Sequence, residues 1–254
     1  MSAAPHLPAA FQLVMRGTVG STNDEVRALA EAGAPDGTVM LAERQTAGRG
    51  RQGRSFASPA GNLYASFLLR PAISPVVAPQ LSFVAAVALA ETLGGFLPGG
   101  VRACLKWPND VLVDERKIAG ILLEAATTSA GLLDFVVLGI GVNLVSHPAG
   151  TRYGATDLAT AGARVRVPAL LEALAVSLAA WRSRWLAHGF PPVRAAWLAA
   201  AHGLGRPIDV RLGSTLISGT FADLDADGAL IVEKAGGARQ RVTAGDIVDP
   251  ALHV

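Results

Sequence analysis

A change of hydrophobic pattern near Gly205 constrains this chain more than any other feature. Upstream, apolar runs of strand length alternate with longer segments of helical period. Downstream only short strand-like runs occur, at 208–212, 216–222, 229–233, 239–242 and 246–248, with Asp225-Ala226-Asp227-Gly228 as a tight turn. Period two and period 3.6 bury different faces, so one block cannot imitate the other. The switch predicts an α/β fold of the α+β type. A sheet with packed helices should span 1–204, and a small β-barrel 205–254.

The upstream block reads as follows. A first strand covers 11–15. Ser21-Thr22-Asn23 supplies helix-capping residues, Asp24 and Glu25 suit a helix start, and Val26, Leu29 and Ala30 form the apolar face before Gly33. Strands follow at 38–43 and 63–69, then a helix at 79–97 and a strand at 101–106. Two strands, 111–113 and 118–125, are joined by the charged turn Asp114-Glu115-Arg116-Lys117, and a buried strand ends at Asn143. After a Pro/Gly loop at 146–158 come helices at 168–187 and 191–201. The Leu171, Leu174, Leu178, Trp181 and Trp185 stripe of the first is core.

The chain has 254 residues, 51% hydrophobic and 17% charged, enough for a sizeable core. A net charge of +2 argues against a general nucleic-acid coat. The single cysteine, Cys104, cannot form an internal disulfide and suits a reducing compartment. Residues 1–10 have no Lys or Arg and no long apolar run, so a secretory leader is not expected. The uncharged stretch 71–90 contains Pro71, Pro75 and Pro79 and reads as a linker into a core helix, not a membrane span. The expectation is a cytoplasmic protein.

One loop carries unusual chemistry. In Gly48-Arg49-Gly50-Arg51-Gln52-Gly53-Arg54, glycines alternate with arginines directly after a strand. Glycine lets backbone approach a ligand closely, and arginine offers forked donors to carboxylate or phosphate. A loop closing over an anion, a solvated basic turn and an RNA-binding segment all fit this pattern.

Two further motifs, Lys106-Trp107-Pro108-Asn109-Asp110 and Arg116-Lys117-Ile118-Ala119-Gly120-Ile121-Leu122-Leu123-Glu124, stand with it, followed by Gly139-Ile140-Gly141-Val142-Asn143. Their order and spacing resemble the biotin protein ligase family, from about Phe11 to the C-terminus. The resemblance implies a mixed-sheet catalytic domain with packed helices followed by a small SH3-like barrel. It implies ATP-dependent attachment of biotin to a lysine of a biotin carboxyl carrier domain, through biotinyl-5′-adenylate. It implies biotin binding by Ser21, Thr22, Asn23, Gln45, Arg49, Gly50, Arg51 and Lys117. It implies nucleotide binding by Arg51, Arg54, Lys106, Asn109, Asp110 and Asn143. Lys117 and Arg51 become the candidate catalytic cations. Lys117 would bridge the biotin carboxyl and the α-phosphate. Mg²⁺ would enter with ATP, with Asp110 its candidate protein ligand or an orienter of Lys106. The Gly/Arg loop becomes a lid, mobile until the adenylate orders it. Trp107 is read as core rather than site wall.

Phe56 stands where many family members carry Trp, and Asp157 where many carry Ser. With the first strand at Phe11 there is no room for the DNA-binding domain of bifunctional members, so no DNA partner is expected. The resemblance also allows a homodimer through sheet edges. A lipoate–protein ligase and a biotin-responsive transcriptional regulator are the alternatives.

Overall fold

The computed structural model describes residues 4–151 and 154–248. Arg152 and Tyr153 of the expected 146–158 loop lie outside the described residues, as do the ends of the two expected domains.

Strand β1 (Gln12–Val19) leads through helix α1 (Thr22–Glu31) to β2 (Thr38–Gln45), which runs parallel to it. The helix supplies the crossover that a parallel pair requires. Next come β3 (Leu63–Leu69), α2 (Gln80–Gly94), β4 (Ala103–Lys106), β5 (Asp110–Val113), β6 (Arg116–Thr127) and β7 (Leu133–Val142). The seven strands form one sheet in the order β1-β2-β3-β7-β6-β5-β4, with every pair after β1–β2 antiparallel. Helices α3 (Val167–His188) and α4 (Pro191–Ala199) follow. The remaining strands, β8 (Pro207–Leu212), β9 (Thr215–Leu224), β10 (Leu230–Glu233), β11 (Arg239–Val242) and β12 (Asp246–Val248), form the second, antiparallel sheet, in the order β11-β10-β9-β8-β12. The short runs predict this small β unit, and the resemblance implies its SH3-like form.

The two faces of the large sheet differ, and the difference positions the site. On one face Leu63, Ala65, Phe67 and Leu69 of β3 and Val136, Leu138, Ile140 and Val142 of β7 pack in a buried cluster with α2 and α3. On the other face Leu68, Phe135 and Val137 pack under Val26 and Ala30 of α1. Beyond α1 that second face turns small and polar. Its cross-strand rows are Ser66–Gly139–Leu122 and Tyr64–Gly141–Gly120. The first turn of α1 reaches the Ser66–Gly139 row through Thr22 and Asn23, and the cleft opens beside it.

The C-terminal sheet shares the core of the large domain. Trp197 of α4 is 1% exposed, with ring centroids 5.7 Å from Phe83 of α2 and 6.2 Å from Phe221 of β9. Burial of rings this large dominates such junctions. Residues 200–202 also pair with β4: Leu105 N donates to Ala200 O at 2.8 Å, and His202 N to Leu105 O at 2.8 Å. The helix expected to reach residue 201 therefore ends at Ala199.

Two local expectations change. Lys117 is not in the turn but inside β6. The turn is Asp114-Glu115 alone, with φ of 49° and 61°, and a bulge between Val111 and Leu112 shifts the register beside it. Ser21 is the N-cap of α1 by backbone geometry but makes no side-chain capping bond.

Candidate active site

The cleft is cut by missing side chains. A Cβ on Gly139 would overlap Asn23 Oδ1, and one on Gly141 would lie 2.6 Å from the Phe56 ring. Glycine inside a strand often marks such close approach. The alternation of β3 then places Ser66 and Tyr64 on the cleft face. Burial pushes the Tyr64 phenol up to about 12, while a bond with Asn62 works against it. Its hydroxyl donates to Pro59 O at 2.8 Å.

At the inner end a closed polar network is set. Ser66 Oγ lies 2.7 Å from Thr22 Oγ1 and 2.6 Å from Asn23 Oδ1. Gln45 Oε1 accepts from Thr22 N at 2.8 Å, so it satisfies one of the free N–H groups that open α1. Gln45 Nε2 donates to Ser58 Oγ at 2.9 Å, and Asn23 Nδ2 donates to Glu124 Oε2 at 2.7 Å. Each amide is thereby fixed in orientation, which preorganises it for a small donor–acceptor ligand.

The Gly/Arg segment is a hairpin. Phe56 N donates to Gly48 O, Arg49 bridges Ser55, and Gly50 N donates to Arg54 O. Its tip is the 3₁₀ turn Arg51–Gly53, with Gln52 at φ 58° and Gly53 at φ 71°. It is held at both flanks. Arg49 makes two bonds to Asp24, at 2.6 and 2.5 Å. On the other side Arg54 pairs with Asp246 of β12, and Arg51 Nη1 lies 3.5 Å from the same carboxylate. Arg51 also donates to Gly245 O at 3.3 Å.

Two cavities adjoin beneath this hairpin, of about 160 and 530 Å³. Ser21, Thr22, Asn23, Gln45, Arg49, Gly50 and Arg51 line the smaller one; Lys106 and Asn143 line the larger. Arg54, Asn109, Asp110 and Lys117 line both. Lys117 Nζ stands at this junction, 2.6 Å from Asp110 Oδ1. The end of the 146–158 loop braces it from behind: Ala155 forms an isolated bridge with Lys117, and Thr156 N donates to Lys117 O at 2.9 Å. The site is thus a small polar pocket and a larger chamber, with a cation between them and an arginine hairpin above.

Residues 18–143 match the Biotin/lipoate A/B protein ligase family, and residues 203–248 match the Biotin protein ligase C terminal domain. The chain is 41% identical to the biotin–[acetyl-CoA-carboxylase] ligase of Paracoccus denitrificans, over 89% of this chain and 96% of that one. The chain belongs to the biotin protein ligase family. It is also 36% identical to the Mycobacterium tuberculosis enzyme of the same name, over 93% of this chain and 88% of that one. The fold agrees. The biotin protein ligase from Aquifex aeolicus in complex with biotin and ATP superposes with a TM-score of 0.78 at 27% identity, covering 93% of this chain and 97% of that one.

Within this biotin protein ligase family member, every candidate residue named from the sequence lines one of the two cavities. Asn143 is tied down, its amide donating to Thr156 O at 3.0 Å. Trp107 is 2% exposed and its indole donates to Gly228 O at 3.2 Å, yet its edge also reaches the larger cavity. The core reading holds, and the residue lies beside the site. Asp157 points away from the cavities. Burial raises its carboxyl pKa, but bonds from Thr160 N and His147 Nδ1, each 2.7 Å, more than offset this and hold it below the usual range. Phe56 covers the Gly141 floor edge-on to Tyr64, centroids 6.4 Å apart.

Asp110 Oδ1 is engaged by Lys117 Nζ at 2.6 Å, and the described residues contain no cluster of three metal-ligating side chains, so a nucleotide-borne Mg²⁺ would meet Asp110 as a lone carboxylate. The sequence reading also missed Ser58, Ser66, Tyr64 and Asp246, and gave no role to Glu124 at the end of its third motif. A serine inside the apolar run 63–69 was the available signal for Ser66. Nothing local marks Asp246, which arrives from the second sheet.

Proposed function

We propose that this chain is an ATP-dependent, AMP-forming biotin–protein ligase acting on a biotin carboxyl carrier domain. The observation that carries the reading is Lys117 at the junction of the two cavities. Biotin occupies the smaller cavity, its ureido group meeting Thr22, Asn23 and Gln45, and its carboxylate reaching Lys117. ATP occupies the larger cavity, its adenylate facing Asn143 and its phosphates Lys106, Arg54 and Arg51. Mg²⁺ enters as part of the nucleotide substrate.

The first step brings two anions together. A biotin carboxylate oxygen attacks the α-phosphorus, and pyrophosphate leaves with the bonding pair. Lys117 and Arg51 lower the repulsion and stabilise charge on the phosphoryl oxygens. In the second step the neutral amine of the carrier lysine attacks the acyl carbon. AMP departs, an amide forms, and the amine gives up a proton. The hairpin keeps the anhydride from water between steps. The reaction takes place in the cytoplasm, where ATP is available. The chain divides at 204/205 into a catalytic domain and a smaller domain that supplies Asp246 to the hairpin.

Biotin is named in the matched ligases and their complexes, which supports this reading over lipoate transfer. The test is transfer of labelled biotin to a purified carrier domain with ATP. Transfer of lipoate instead, with no biotin transfer, would overturn it.

A further inference from the structure

Arg49 has a partner that ligand binding does not explain. Its guanidinium grips the Asp24 carboxylate with both terminal nitrogens, at 2.6 and 2.5 Å, and lies 3.9 Å from Glu124 Oε1. Asp24 stands in the first turn of α1 and lines neither cavity. The bond from Arg49 is the chief reason its carboxyl is held below the usual range. Glu124 comes from β6, and its other oxygen holds the Asn23 amide at 2.7 Å. One guanidinium therefore connects the helix, the sheet and the first arm of the hairpin.

The root of that arm is stiff. A Cβ on Gly48 would lie 2.6 Å from both Phe56 O and Ser58 Oγ. Beyond Gly48, the arm's position depends on where Arg49 is held. A forked arginine–carboxylate contact fixes orientation as well as distance, which a single charge does not.

We infer that Asp24, backed by Glu124, is a positioning residue that anchors the hairpin through Arg49 and sets how long the enzyme holds its adenylate. This rests on the ligase reading above. The Arg49 side chain is then an anchor on the protein, and the ligand meets the Gly50 backbone and Arg51. The pair is half-exposed, so its effect is bounded. Adenylate release should change by about three- to tenfold, as for a well-aligned exposed ion pair.

The test uses the full chain with biotin and ATP and no carrier. Pyrophosphate release in the first turnover reports formation, and rapid filtration after an unlabelled chase reports escape of the adenylate. Asp24→Asn should release adenylate about three- to tenfold faster, with formation within about twofold of the unaltered enzyme. Asp24→Glu should restore most of the retention. Exchanging the charges, Asp24→Arg with Arg49→Asp, should release more slowly than either single variant. Added salt should speed release from the unaltered enzyme more than from Asp24→Asn. A merely structural ion pair would lower the melting temperature and leave escape unchanged, which would overturn the inference. Unaltered enzyme that forms no biotinyl-adenylate sinks the ligase reading as well. Adenylate formed and held equally by the unaltered enzyme and Asp24→Asn sinks only the anchoring role.

Discussion

Lys117 Nζ and Asp110 Oδ1 lie 2.6 Å apart on the neighbouring strands β6 and β5, where the two cavities meet. The carboxylate holds the ammonium group at a fixed point before any anion arrives. Lys117→Ala should lower adenylate formation by about 10²- to 10³-fold, the scale of losing one preorganised charge stabiliser. Its side chain is 34% exposed, so thermal melting should move little. Pyrophosphate release checks the first claim and a melting curve the second. Near-normal pyrophosphate release by this variant would show that the bridging cation has been misplaced.

The glycine rows make a separate claim. Gly141→Ala would set a methyl against the Phe56 ring, and Gly139→Ala would drive Asn23 from its bonds to Ser66 and Glu124. Overpacking of this kind costs about 1–3 kcal/mol. Gly139→Ala should raise KM for biotin more than KM for ATP, because Asn23 lines only the smaller cavity. Equal effects on both substrates would mean that the two cavities do not divide the ligands as proposed.

Much of this was legible in the sequence because periodicity is local. The α1 face, the all-buried β3 and the change to short strands after Gly205 each follow from residues near one another in the chain. The candidate site was legible for a different reason: three short motifs in order pointed to a family. The rest depended on distant partners. Lys117 was placed in the turn because a four-residue charged run resembles a turn, whereas the bulge at Val111/Leu112 draws it into β6. Asp246 of the second sheet meets Arg54 of the hairpin, 192 residues away in sequence, and no spacing rule reports such a contact.

That contact predicts a role for the second sheet. Asp246 pairs with Arg54 and lies 3.5 Å from Arg51, so it holds the hairpin tip. Asp246→Ala should loosen the tip and increase biotin labelling of bystander lysines when no carrier is present. The fold should survive, since the side chain is 21% exposed and not packed in the core. Bystander labelling is read by blotting for biotin. Labelling no greater than that of the unaltered enzyme would mean that the second sheet does not restrain the lid.

Asp157 gives a prediction with a defined pH window. Its bonds to Thr160 N and His147 Nδ1 depress its folded pKa below the unfolded value of about 3.9. A depressed carboxyl stabilises the fold fully above its unfolded pKa, and the contribution fades as pH falls through the folded value. Asp157→Asn should therefore cost about 1–3 kcal/mol near neutral pH, the scale of losing charge-assisted bonds at a buried site. The difference from the unaltered protein should stay constant with respect to Asp157 down to about pH 5 and shrink below about pH 4. The same segment reaches the active site, because Thr156 N bonds Lys117 O. The variant should thus also lower the rate of adenylate formation, more at higher temperature, as the brace behind Lys117 loosens. Denaturant unfolding across pH checks the first part and pyrophosphate release across temperature the second. A stability loss that persists undiminished at pH 3 would show that packing around Asp157, and not its charge, supports this loop.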